Sequence, residues 1–161
     1  MAQIQQRITP MLWFDNQAEE AANFYVSIFK NSRVTGLSRY GDTGPGPKGS
    51  VMVAEFELDD QKFTALNGGP QFKFTEAISL VVNCESQEEV DYFWEKLTSD
   101  GGQEVMCGWL KDKYGLSWQV VPTRVFEWLR DPKKSDKVLA AVMEMKKLDL
   151  SKLEDAAAQA S

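Results

Sequence analysis

Histidine is missing altogether from this chain of 161 residues. Its absence removes Ser-His-Asp and Cys-His nucleophilic catalysis, imidazole general bases, and every zinc site built on imidazole. Any catalysis falls to carboxylates, Tyr, Lys, Cys or backbone groups. Cysteine is nearly absent too: Cys84 and Cys107 show neither CxxC nor zinc-ribbon spacing, and reduced, buried thiols are the plain reading. No apolar run approaches the ~20 residues that span a bilayer, and the polar stretch 1–7 has no signal-peptide core, so a cytoplasmic protein without membrane contact is expected. Basic residues are outnumbered, 18 against 24 acidic, and the net charge of -6 argues against nucleic acid as a partner.

What is present fits one globular domain. Hydrophobic residues make up 43% and charged residues 26%, and a chain this long buries enough surface for a core without disulfides. An internal repeat runs through it. Phe24-Tyr25 and Phe93-Trp94 are 69 residues apart, and at the same offset Glu19-Glu20 falls on Glu88-Glu89, Met11-Leu12 on Leu80-Val81, and Ile28 on Leu97. Each copy is an apolar run, a polar corner and an amphipathic helix with an acidic start.

In the first copy, residues 8–14 read as a strand. Asn16 with Glu19 forms a capping-box pattern for a helix over 17–29, with Ala21, Phe24, Tyr25 and Ile28 on one face. Strands are predicted over 34–40, 51–58 and 62–66, the last two joined by a turn at 59–61 and stopped by Asn67-Gly68-Gly69-Pro70. The second copy gives a strand over 77–83, a helix from the Ser86/Glu89 capping box to about Thr98, and strands over 103–106, 109–111 and 116–121. Beyond Pro122 the pattern turns helical. Thr123 is a cap for a helix reaching Arg130, Asp131-Pro132 starts another with a stripe of Val138, Leu139, Val142 and Met143, and Ser151 with Glu154 caps a final Ala-rich turn expected to fray. The expected organisation is a duplicated core over 1–122, with halves at about 8–70 and 77–122, and a helical appendage over 123–161. The apolar stripe can pack on its own chain or on a second copy.

Gly44-Pro45-Gly46-Pro47-Lys48-Gly49 matches GxGxxG by letter. A dinucleotide loop must follow a strand and open a helix, whereas here two prolines stiffen the segment and a strand follows. A long hairpin loop, able to serve as a mobile lid, is the better reading.

Longer phrases carry a family resemblance. Phe63-Thr64-Ala65-Leu66-Asn67-Gly68-Gly69-Pro70, and above all Trp118-Gln119-Val120-Val121-Pro122 within the stretch 108–122, are similar to signature segments of PhnB-like proteins. The helix run 18–25 and the tail segment 143–150 resemble the same group, so the likeness covers nearly the whole chain. PhnB-like proteins form a branch of the vicinal-oxygen-chelate (glyoxalase/bleomycin-resistance/dioxygenase) superfamily. The resemblance implies an α+β fold of two βαβββ modules, their mixed sheets cupped around a pocket, followed here by C-terminal helices, and a homodimer. It also implies a divalent-metal site, with one ligand (His, Glu or Gln) from the first and last strand of each module. The matching positions here are Pro10, Ser79 (or Ala77), residues 65–67 and Gln119. These are poor ligands without carboxylate or imidazole company, so neither metal nor other cofactor is expected.

What remains is a pocket for an unidentified small molecule, with Trp13, Asn67, Ser79, Trp109, Trp118 and Gln119 as candidate lining residues, although the tryptophans serve equally well as sheet core. Phe72 and Phe74 are placed to cover its mouth or to join the halves. Three residues are catalytic candidates. Cys107 has Lys111 and Lys113 nearby in sequence, and a structural thiol competes with a reactive one. Glu55 and Glu57 share one strand face, either as an acid–base pair in the cup or as a solvated outer face. Small-molecule binding without the classical metal is the leading expectation, with a metal-independent or atypically metal-dependent enzyme as the alternative. A quinone methyltransferase, a label that relatives carry, is disfavoured because no Gly-rich cofactor loop follows the first strand.

Overall fold

A computed structural model describes residues 3–160; the outermost ends of the predicted spans, residues 1, 2 and 161, lie outside the described residues. The chain divides into two compact units, Met1–Phe74 and Thr75–Ser161.

The first unit is β1 (Met11–Phe14), α1 (Ala18–Ile28), β2 (Arg33–Arg39), β3 (Val51–Leu58) and β4 (Gln61–Asn67). Its sheet order is β1-β4-β3-β2, with β1 parallel to β4 and the other neighbours antiparallel. β1 is shorter than predicted because Pro10 has no N–H to give a ladder; its carbonyl instead accepts from Thr64 N–H, and Ile8 is 82% exposed. Asp59 and Asp60 both take positive φ (48° and 64°) in the two-residue β3–β4 turn, the primed turn that matches strand twist. Helix α1 lies on the sheet through Ala18, Ala21, Ala22, Tyr25 and Ile28. The alanines let it approach β3, whose Ala54, Phe56 and Leu58 point toward it and are buried. Phe24, expected on the buried face, is only half-buried, and Ala18 and Ala22 complete the face instead.

The N-terminus of α1 is held differently from the predicted capping box. Gln17 is the N-cap and makes no side-chain cap bond. Ala18 N–H donates instead to Asn67 Oδ1 at the end of β4, 2.8 Å away. The Asn67 amide also donates to the Val51 carbonyl (3.0 Å), so one side chain ties α1, β3 and β4 together.

The second unit repeats the topology: β5 (Leu80–Cys84), α2 (Gln87–Thr98), β6 (Gln103–Glu104), β7 (Trp109–Lys111) and β8 (Ser117–Pro122), in sheet order β5-β8-β7-β6 with β5 parallel to β8. Ser86 caps α2 as predicted, accepting from Glu89 N–H, while the Glu89 carboxylate accepts from the Glu85 N–H. Val90, Trp94 and Leu97 of α2 are buried on the side of the sheet that carries Leu110, Trp118 and Val120.

Helices α3 (Thr123–Arg130), α4 (Ser135–Met143) and α5 (Leu150–Ala158) belong to this unit. Their core gathers Val121 of β8 with Val125, Trp128, Val138, Val142, Leu148, Leu153 and Ala157. Half the predicted α4 stripe therefore packs on its own chain, whereas Leu139 and Met143 are exposed. Three predicted start signals give way to others. Thr123 is already inside α3, behind Pro122. Asp131 spends its side chain on a turn to Lys133, so α4 opens at Ser135. Asp149, not Ser151, caps α5 by accepting from Lys152 N–H. The last helix is anchored through Leu153 and Ala157 and is no fraying turn.

Candidate functional site

Each sheet has one face covered by its helix and one left open, except at Val121 where the C-terminal core reaches it, and strand parity decides which side chains reach the open face. In the first unit, Leu12, Phe14, Ala54, Phe56 and Ala65 face α1. The open face accordingly takes Met11, Trp13, Thr64, Leu66, Val53, Glu55 and Glu57, by the register Met11↔Thr64↔Glu55 and Trp13↔Leu66↔Val53.

Trp13 is half-buried; its indole N–H donates to the Gly69 carbonyl (2.9 Å) and its ring packs edge-on against Phe72 (4.9 Å). The ring lies so close to Gly68 that a Cβ there would come within 2.3 Å of it, which explains a glycine at that position. Phe74 makes the equivalent edge contact with Phe14. Both phenylalanines thus fold back on the first unit's own strand.

Glu55 and Glu57 do share the open face, but their surroundings differ. Glu57 is paired with Arg33 (3.4 Å). The Glu55 carboxylate lies over Gly36, 2.8 Å from where a Cβ would stand. One carboxylate is committed to a guanidinium, which leaves Glu55 as the better placed of the two.

In the second unit Gln119 sits between Val81 and Trp109 in the register, and its amide donates to Ser79 Oγ (3.0 Å). Ser79, Val81, Trp109 and Gln119 therefore make one half-buried to exposed row on the open face. Trp118 does not belong to it. Strand parity sends its ring to the α2 side, where it is 2% exposed and its N–H donates to Asp112 Oδ2 (2.8 Å). Asp112, in the turn between β7 and β8, is the organiser here. Buried itself, it also accepts from the N–H groups of Tyr114 and Leu116 through Oδ1.

Cys107 occupies a left-handed turn (φ 64°), donates its N–H to the Met145 carbonyl and packs against the C-terminal helical core. The two nearby lysines are engaged elsewhere, Lys111 with Glu76 and Lys113 with Asp100. Cys84 is fully buried, and desolvation, reinforced by the nearby Glu89 charge, pushes its thiol up to about 12.

A divalent metal of the kind the sequence resemblance implies does not suit these donors. The open-face positions of the parallel strand pairs carry Met11, Trp13, Thr64 and Leu66 in one unit and Ser79, Val81 and Gln119 in the other. Hard or borderline divalent ions select carboxylates and imidazoles, and no cluster of three or more Asp, Glu or Cys side chains able to hold a metal exists among the described residues. The sequence register also needs correction: Pro10 lies before β1, and Ala65 points to α1. A nucleoside methyl donor fits no better, since the β1–α1 turn is Asp15-Asn16-Gln17 without glycine.

Comparison with known proteins agrees with this architecture. The family described as 3-demethylubiquinone-9 3-methyltransferase matches residues 6–121. A Bacillus cereus PhnB protein carrying the same methyltransferase description is 42% identical, over 73% of this chain and 100% of its own, with a TM-score of 0.67. A Pseudomonas aeruginosa protein is 22% identical over 72% of this chain and 96% of its own (TM-score 0.59). The Listeria monocytogenes fosfomycin resistance protein FosX, solved with Mn(II) and sulfate, shares the fold at 15% identity over 80% of this chain and 98% of its own (TM-score 0.54). No curated protein matches the chain. The chain belongs to this PhnB-like family, and it shares its fold with the fosfomycin resistance protein.

Proposed function

We propose that this protein binds a small, largely apolar molecule on the open faces of its sheets without the divalent metal of its superfamily. The observation that carries the reading is the donor-poor composition of those faces. On the first sheet the Trp13 indole shares the open face with isolated polar groups, Thr64 and Glu55, and on the second the Trp109 indole neighbours the Gln119–Ser79 couple. Such a mixture suits ligands held by apolar contact and oriented by a few hydrogen bonds. Methyl transfer, the activity in the family's description, finds no support in the glycine-free β1–α1 turn.

The reading includes a homodimer in the cytoplasm. Exposed Leu139 and Met143 on α4 support self-association, and two free cysteines support a reducing compartment. No helix among the described residues is long and apolar enough to cross a membrane.

The test is tryptophan-fluorescence quenching by a panel of uncharged aromatic compounds, on the native protein and on Trp109→Ala and Gln119→Ala. A hit that both substitutions weaken about tenfold, the value of about 1.4 kcal/mol, with an unchanged melting profile, supports the site. A hit that neither substitution alters refutes it.

A further inference from the structure

Beyond the sheet faces, the first unit carries a cleft at one end of its sheet, of about 590 Å³. It forms where the parallel strands β1 and β4 end together and leave in different directions, β1 into α1 and β4 into residues 68–70. The far wall is residues 45–47 of the β2–β3 loop.

That loop is locked onto its neighbours. Tyr40 is buried, its hydroxyl donates to the Asn67 carbonyl (2.6 Å), and its ring fills the space a Cβ on Gly46 would need, only 2.3 Å away. Tyr40 and Ser50 exchange backbone bonds with the loop, and Ser50 Oγ donates to the Pro47 carbonyl. The GxGxxG-like segment is thus a built wall, with prolines and close-approach glycines in structural roles.

Charged side chains, exposed or half-exposed, line the cleft in a particular pattern. Asp15 and Glu19 stand at the α1 wall and Arg39 at the opposite strand end. Neither carboxylate has an ion-pair partner among the described residues. Arg39 spends Nη1 on the Gly49 carbonyl (3.1 Å) and has no carboxylate partner there either. Opposite charges therefore line one cleft without meeting. Between them lie Val51, Pro45, Pro47 and Pro70, apolar surfaces for small side chains. The volume falls within the range of ligand pockets, roughly 300–1,000 Å³, and exceeds what one amino acid fills.

From this we infer that the cleft binds a short zwitterion of peptide size, its ammonium end on Asp15 and Glu19 and its anionic end on Arg39. The site is separate from the sheet-face reading, and each stands or falls alone.

The experiment is amide NMR on the isotope-labelled full chain, titrated with trialanine and with its N-acetylated and C-amidated forms. Trialanine is expected to shift the amides of Arg39, Tyr40, Gly68 and Gly69. Blocking either end is expected to weaken binding about tenfold, as loss of one charge-assisted contact does. Arg39→Gln should abolish the penalty for amidation alone, and Glu19→Gln should reduce the penalty for acetylation alone. Neither Arg39 nor Glu19 is the ion-pair partner of another group among the described residues. No shift with trialanine, shifts equal for all three peptides, or shifts confined to other segments would each overturn the inference.

Discussion

Replacing Asn67 separates the roles of two asparagines that look alike in the sequence. Asn16 stands where a capping box predicts the α1 cap, yet the Ala18 N–H is bound by Asn67, 49 residues beyond Ala18. In Asn67→Ala the Ala18 N–H loses its acceptor and the Val51 carbonyl its donor. Losing a helix cap costs about 1 kcal/mol, and losing a partly buried hydrogen bond costs about 1 kcal/mol more. The sum is about 2 kcal/mol, or roughly 4–8 °C of melting temperature for a chain of this size. Asn16→Ala should stay within about 0.5 kcal/mol, the usual range for a surface change. Asn67→Asp keeps the acceptor for Ala18 and loses the donor to Val51, so it should fall between the other two. Urea unfolding followed by tryptophan fluorescence gives all three values, with the slope unchanged if only stability has moved. Equal losses for Asn16→Ala and Asn67→Ala would refute the cross-sheet cap.

Other expectations follow from buried groups. Asp112→Ala orphans the Trp118 N–H in the core and removes two turn bonds, and should cost about 3–5 kcal/mol, read by the same urea assay; a loss under about 1 kcal/mol would contradict its organising role. For Cys84, the folded-state pKa near 12 lies above the ordinary thiol value of 9.0. Between those values the unfolded chain gives up a proton that the native chain keeps, so stability is full below about pH 9 and declines as pH rises toward 12. Cys84→Ala should flatten that decline, and an unchanged slope would show that another group governs it. In thiol labelling of the native protein, Cys107 should react and Cys84 should wait for unfolding, since only the former is partly exposed.

The elements most visible in the sequence were those with one buried face. The α1 and α2 stripes, the 51–58 strand and the Ser86 cap are local patterns, and a period of 3.6 or 2 records them. Strand β8 shows why site assignment was harder. Five of its six residues are buried, because α2 covers one side and the C-terminal core reaches Val121 on the other. No alternation survives, so Trp118 and Gln119 looked equally suited to the open face although parity separates them. Caps failed where the partner was distant or the turn competed: Asn67 reaches α1 from β4, and Asp131 was consumed by its own turn. The cleft at the end of the first sheet was invisible for a similar reason. Its walls come from four separated segments, and Tyr40, which fixes one of them, carries no local signature.

Metal content is the most direct measure of whether this protein binds its ligand without a divalent ion. Untagged protein should be used, because the chain has no histidine and a tag would supply ligands of its own. Elemental analysis should find far less than one equivalent of any divalent metal, and Mn²⁺, Zn²⁺, Ni²⁺ or Mg²⁺ should leave the melting temperature unmoved. A stoichiometric ion, or stabilisation by one of them of about 2.7 kcal/mol at a hundredfold excess over its Kd, would contradict the reading. It would mean that Glu55, Gln119 or their neighbours build a metal site that their places on the sheets do not suggest.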